Sequence, residues 1–173
     1  VGRLVPYKGL ATLVRAADRI RCRVAIVGTG PLEGELRKEI EARGLSGRVF
    51  LLGGVEDLRP YYLGCEFFVL PSVSELEGFG IVQIEAMGLG KPVVSSDLPS
   101  GVTYVNIHGE TGLVFHVGDD AGLAEACNRL LSDPELKGRL GEKARERTFR
   151  KFSYTAMAEA AVPFFARLSG RSV

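Results

Sequence analysis

Two carboxylates flank a glycine-bearing turn in the stretch Pro71-Ser72-Val73-Ser74-Glu75-Leu76-Glu77-Gly78-Phe79-Gly80-Ile81-Val82-Gln83-Ile84-Glu85-Ala86. An apolar run ends at Leu70, and a helical apolar pattern begins near Gly80, so the loop lies where a strand hands over to a helix. Gly80 has no side chain to block access to the backbone amides of Ile81 and Val82. Those amides, with the positive end of the helix dipole, form an anion site. Glu85 follows about one and a half turns later, roughly 7 Å along the helix at ~1.5 Å per residue. That is the separation of a phosphate from the ribose diol beside it, and a carboxylate accepts two hydrogen bonds from a cis-diol. Glu77, before the helix, reaches a group on the other side of the phosphate. One phosphate site between two hydroxyl-binding carboxylates describes a nucleotide-sugar. The competing reading makes Glu77 loop charge and Glu85 a solvated helix residue. Against it stand Ile84, Ala86 and Met87, since a carboxylate in an apolar helix needs a partner.

Three further clusters border strand ends. Gly2-Arg3-Leu4 with Lys8-Gly9 places two cations where a strand turns through Pro6 into a helix. Ligands of open α/β sheets bind at that carboxyl edge, where Arg3 can fork onto phosphate oxygens and Lys8 can add a point charge. Solvated surface charge is the alternative. Gly28-Thr29-Gly30-Pro31 begins like a dinucleotide fingerprint, but the sixth position is Glu33. It reads as a tight turn in which Pro31 opens the next helix, and any binding there falls to backbone groups. Lys91 to Gly101 and His108-Gly109-Glu110-Thr111-Gly112 read as a buried strand, a loop and a turn. His108 is read as a turn residue and His116 as structural. No Ser-His-Asp set, metal cluster or Asp-x-Asp stands out.

The elements that position these groups alternate. Strand-length apolar runs occur at Val24–Gly28, Val49–Leu52, Phe67–Leu70, Pro92–Ser95 and Gly112–Phe115, nearly continuous, as in strands buried on both faces. Amphipathic segments at Leu10–Ile20, Leu32–Arg43 and Ile81–Gly90 separate them. This alternation predicts an α/β fold, a doubly wound, Rossmann-like parallel sheet. From Asp119 the pattern is helical. Asp119 or Asp120 caps a helix through Leu131, Ser132-Asp133-Pro134-Glu135 carries a capping-box pattern, and Ser153 caps a last helix with Phe152 and Met157 at staple spacing. Pro163 should kink or end that helix. Its apolar side (Met157, Ala160, Ala161, Phe164, Phe165, Leu168) is read as core packing, the alternative being a face that covers an absent partner domain.

The 173 residues suffice for one domain with its own core. A formal net charge of +1 gives no overall field toward nucleic acid or an anionic membrane. Cys22, Cys65 and Cys127 stand far apart without a C-x-x-C spacing, which favours buried thiols in a reducing compartment. No apolar run approaches membrane-spanning length. The sequence opens on what reads as the end of a strand, and we take it as a piece of a longer protein.

Gly2-Arg3-Leu4 with Lys8-Gly9, Gly28-x-Gly30-Pro31, Glu77-Gly78-Phe79-Gly80 with Glu85-Ala86-Met87, Gly90-Lys91-Pro92-Val93-Val94 and Gly109-Glu110-Thr111-Gly112 together resemble the signature blocks of the group 1 (family 4) glycosyltransferases. These are retaining, nucleotide-sugar-dependent enzymes of GT-B architecture. The resemblance is to their C-terminal, donor-binding domain, here spanning 1–173, with the N-terminal acceptor domain absent from this chain. It implies that Arg3 and Lys8 hold the donor diphosphate and stabilise it on departure. Gly80, Ile81 and Val82 then offer amides to phosphate, Glu77 contacts hydroxyls of the transferred sugar, and Glu85 binds the ribose diol. Gly2, Gly78 and Phe79 belong to the same loops, and the turns Gly28–Pro31 and Gly53–Val55, with Gly54, border the base. It implies no cofactor and no bound metal. The setting implied is cytoplasmic, with membrane contact only through the absent domain or the acceptor. Gly78 stands where a small residue such as Ala is frequent, and Glu75 competes with Glu77 for its role. Alternatives within the architecture are a glucan synthase or a sugar-nucleotide epimerase. A non-catalytic nucleotide-sugar-binding module is an alternative of another class. A nicotinamide-dependent dehydrogenase is disfavoured by Glu33 and by the lack of an acidic residue ending the next strand.

Overall fold

The structure, a computed structural model, describes residues 1–168; positions 169–173 of the expected domain span lie outside the described residues. Five short strands alternate with helices: β1 Val24–Ile26, β2 Val49–Leu51, β3 Phe68–Leu70, β4 Val93–Ser96 and β5 Gly112–Phe115. The helices are α1 Leu10–Ala17, α2 Glu33–Ala42, α3 Arg59–Gly64, α4 Ile81–Gly88, α5 Gly101–Val105, α6 Asp120–Ser132, α7 Pro134–Phe152 and α8 Tyr154–Leu168. All strand pairs are parallel. The expected sheet is divided into a two-stranded sheet, β1-β2, and a three-stranded sheet, β3-β4-β5.

Helices cover both faces. One apolar cluster joins α1, α2 and α6 to Ile26, Val94, Leu113 and Phe115. The other joins Tyr62, Ala86, Met87, Val102 and Ala144 to Phe68, Leu70 and Val93. Neighbouring Val93 and Val94 thus face opposite layers, the strand period of two that a doubly wound sheet requires. The strand ends then place loops 2–9, 28–31, 53–55 and 71–80 along one edge.

The C-terminal third departs from expectation in two places, the α7 cap and the cover of α8. Asp119 caps α6 as read, its carboxylate accepting from the amides of Ala121 and Gly122 at 3.0 Å each. The α7 cap is Asp133, accepting from Leu136 at 2.8 Å, while Ser132 remains the last residue of α6. Ser153 caps α8 through Ala156 at 3.1 Å. Pro163 does not end α8, which runs on to Leu168. Proline deletes one helical hydrogen bond, and the helix continues past it. The core-packing reading of α8 fails, because Met157, Phe164, Phe165 and Leu168 are 57%, 55%, 65% and 71% exposed. Cys22 and Cys65 are half-buried, Cys127 is buried, and all three are free. Among the described residues no helix is long and apolar enough to cross a membrane.

Candidate functional site

Lys8 is delivered to the site by a rigid turn. Val5 is extended, Pro6 opens a 3-10 turn through Lys8, and Gly9 closes it in the left-handed region at φ 64°. The Tyr7 carbonyl accepts from the Val73 amide at 2.8 Å, which ties this turn to the loop after β3. Lys8 consequently meets Glu77, 69 positions away in sequence, with Nζ 2.6 Å from a carboxylate oxygen. The Ser72 hydroxyl donates to the same oxygen at 2.8 Å. The Lys8 and Glu77 side chains are 14% and 8% exposed. Desolvating both charges is expensive and demands good geometry, which a short ion pair with an added hydroxyl donor supplies. Glu75 is exposed, so Glu77 holds the inner position. Arg3 is also exposed and has no side-chain hydrogen bond or ion pair among the described residues. Gly2 donates its N–H to Val27 O at 2.9 Å.

The start of α4 lies beside this pair. Gly80 is its N-cap at φ 65°, ψ 61°, a conformation that glycine adopts at no steric cost. A Cβ there would also sit 2.7 Å from Leu70 Cδ2. No side chain caps the helix, so the amides of Ile81 and Val82 lack the partner a Ser or Asp would provide. Glu85 is exposed on the same helix, and the Tyr62 hydroxyl donates to it at 2.8 Å. Burial, then that carboxylate, push the Tyr62 phenol well above its usual range. Glu85 thus has the partner its apolar neighbours called for, although its side chain is exposed. Ile84 and Ala86 point elsewhere around the helix, and the partner comes from α3.

The loop carrying Glu77 is braced from behind. Ser100 Oγ donates to the Glu77 carbonyl at 2.9 Å, and the Gly101 amide donates to the Gly78 carbonyl at 2.7 Å. The Phe79 ring meets Phe152 edge-on at 5.7 Å and Tyr104 at 6.4 Å. Buried Arg147 donates to the Val105 and Tyr104 carbonyls at 3.1 and 2.6 Å, satisfying the end of α5. Its guanidinium also lies 5.4 Å from the Tyr104 ring centroid and 5.7 Å from that of Phe152. Ser72, Tyr62, Ser100 and Arg147 carried no sequence signal. Ser72 acts within its own loop and the others through contacts with segments distant in sequence, and α3 and α5 are too short to show a period.

Gly28 and Gly30 serve the backbone. A Cβ on Gly28, at φ +139°, would fall 1.9 Å from Gly2 O, and one on Gly30 would fall 2.5 Å from Leu4 O. Gly28 N–H reaches the Gly53 carbonyl at 2.7 Å, which draws the loop with Gly54 and Val55 to the same edge. His108 forms an isolated bridge with Gly112, just before the turn at Gly109 and Glu110 rather than in it, and its Nδ1 accepts from Val114 N at 3.0 Å. His116 is exposed, 2.6 Å from Asp97.

The family described as "Glycosyl transferases group 1" matches residues 1–147. The chain belongs to the group 1 glycosyltransferases. It is 38% identical over 170 residues to the O-antigen chain mannosyltransferase C of Escherichia coli, covering 97% of this chain and 46% of that protein. The chain thus spans less than half the length of that relative. HepE of Anabaena, solved in complex with UDP, superposes with a TM-score of 0.90 at 25% identity, covering 96% of this chain and 47% of that one. The C-terminal domain of a group 1 protein from Francisella tularensis shares the fold, with a TM-score of 0.79 at 20% identity over 89% of this chain and 84% of that one.

Proposed function

We propose that this chain is the donor-binding domain of a retaining glycosyltransferase. It would move a hexose-type sugar from a UDP-, GDP- or ADP-sugar to a glycan or lipid-linked acceptor. The observation that carries this reading is the meeting of Lys8 and Glu77 beside the uncapped start of α4, with Glu85 on the same helix. The UDP complex of HepE and the O-antigen mannosyltransferase relative support it. The acceptor falls to a further domain of the longer protein, and the reaction belongs in the cytoplasm, at the membrane face when the acceptor is lipid-linked.

Transfer breaks the anomeric C–O bond while negative charge grows on the departing diphosphate. Arg3, Lys8 and the amides of Ile81 and Val82 answer that charge more strongly in the transition state than in the ground state. Lys8 then divides its donors between Glu77 and phosphate, and Glu77 is left to receive hydroxyls of the transferred sugar. Arg3 and Lys8 supply the positive charge, so turnover persists in a chelator. Activity lost in chelator and restored by a divalent ion would contradict this.

Binding to the folded state raises thermal stability. The full-length protein is therefore expected to be stabilised by one class of UDP-, GDP- or ADP-sugar and not by NAD. Stabilisation by NAD alone would point to a dehydrogenase instead. Glu85 has a quantitative test. A hydrogen bond to a charged group is worth about 1.5–3 kcal/mol, so Glu85→Ala weakens nucleotide binding by at least roughly 10–100-fold. A titration showing unchanged affinity would remove Glu85 from the ribose site.

A further inference from the structure

Gln83, in the first turn of α4, is fully buried. Its side-chain amide curls back under the helix start. Nε2 donates to the Phe79 carbonyl at 2.9 Å and to the Val102 carbonyl of α5 at 3.4 Å. Only the NH2 end can meet two carbonyls, so the amide has one orientation and Oε1 faces the other way. There Oε1 is buried with no hydrogen-bond partner among the described residues. An unpaired buried carbonyl is costly, and methionine fills a similar volume without one. Stability therefore gives no reason for a glutamine at this position. What it offers is its two donated bonds.

The first of them holds the peptide between Phe79 and Gly80. Gly80 has to lack a side chain, because a Cβ would sit 2.7 Å from Leu70 Cδ2 and 3.1 Å from Gln83 Nε2. Glycine accepts either sign of φ, so the peptide before it is free to turn over unless something fastens it. The Gln83 amide fastens it by the carbonyl. There is no cis peptide among the described residues, and in a trans peptide the N–H points opposite to the C=O. The Gly80 N–H is thereby turned away from Gln83 and α5. It has no hydrogen-bond partner among the described residues, and the amides of Ile81 and Val82 follow it as the free donors of the helix start. The second bond, to Val102, ties the same side chain to α5, whose first residue Gly101 holds the Gly78 carbonyl.

We propose that Gln83 is a positioning residue for the donor phosphate. By holding the Phe79 carbonyl it aims the Gly80 N–H, so that Gly80, Ile81 and Val82 present three successive amides to one anion, on the footing that a nucleotide-sugar binds here. A neutral amide does this without setting a negative charge behind the phosphate, as an ionised glutamate of the same length would. The unpaired Oε1 is a cost in stability that the aimed amide offsets in binding.

Gln83→Met in the full-length protein tests this. UDP, GDP or ADP, whichever binds the wild type, is expected to bind the variant about tenfold more weakly, as for the loss of one hydrogen bond to a charged group. The matching nucleoside is expected to bind both proteins equally, and the urea midpoint is expected not to fall. In the unsubstituted protein the Gly80 amide resonance is expected to shift on adding the nucleoside diphosphate and to stay in place with the nucleoside. Equal diphosphate affinity of variant and wild type overturns the proposal and leaves the nucleotide-sugar reading standing. A loss shared by diphosphate and nucleoside, with a lowered midpoint, marks a structural brace and overturns it too. Should the variant not fold, a Gly80 resonance that ignores the diphosphate overturns the proposal by itself. A wild type that binds none of the three diphosphates removes the nucleotide-sugar reading and the proposal with it.

Discussion

Arg3→Ala in the full-length protein slows sugar transfer by about 10²–10³-fold, the usual cost of removing one preorganised donor from a developing oxyanion. It leaves the unfolding midpoint unchanged, because the side chain is exposed and has no partner among the described residues. This separation of rate from stability is what a phosphate-binding role requires. An exposed cation that merely solvates the surface changes neither quantity. The comparison is made with whichever nucleotide-sugar stabilises the wild type, following turnover and denaturant unfolding in parallel. A rate within a few-fold of wild type removes Arg3 from the diphosphate site.

The Lys8–Glu77 pair behaves differently, because both side chains are mostly buried. Removing one partner leaves an uncompensated charge in a poor solvent. Lys8→Met and Glu77→Gln are therefore each expected to cost about 3–5 kcal/mol of unfolding free energy. The double substitution recovers most of that loss, since neither charge remains and the glutamine carbonyl still accepts the Ser72 hydroxyl. Urea unfolding of the four proteins measures the coupling. Two single losses below about 1 kcal/mol would place the pair among exposed ones. Activity does not recover in the double variant, because Lys8 is also proposed to hold phosphate. Stability rescued without activity distinguishes a site residue from a structural one.

Much of the candidate site's layout was legible in the sequence because its groups lie on either side of recognisable punctuation. Leu70 ends a strand and Gly80 starts a helix, which placed Glu77, Ile81, Val82 and Glu85 in order along one loop and one helix. The same signals located the five strands within a residue or two. The rest depended on contacts between distant segments. Nothing near Glu85 announces Tyr62, and nothing near Glu77 announces Ser72 or Ser100. Arg147 looks like one more charge in α7, yet it closes the end of α5 and supports the rings that Phe79 rests on. Composition also misread α8. An apolar side says that a helix seeks cover, and cannot say whether the cover lies in the same domain. The divided sheet was likewise hidden, since periodicity locates strands and leaves open which edges find a neighbour.

The account stands on a nucleotide-sugar binding at the Lys8–Glu77 pair and the start of α4. Calorimetric titration of the full-length protein with UDP-, GDP- and ADP-sugars, repeated on Glu85→Ala, tests that claim most directly. The account predicts saturable binding of one class, weakened by at least roughly 10–100-fold by the substitution, which removes the charge-assisted hydrogen bonds to the ribose diol. Failure of every nucleotide-sugar to bind the folded wild type would contradict it.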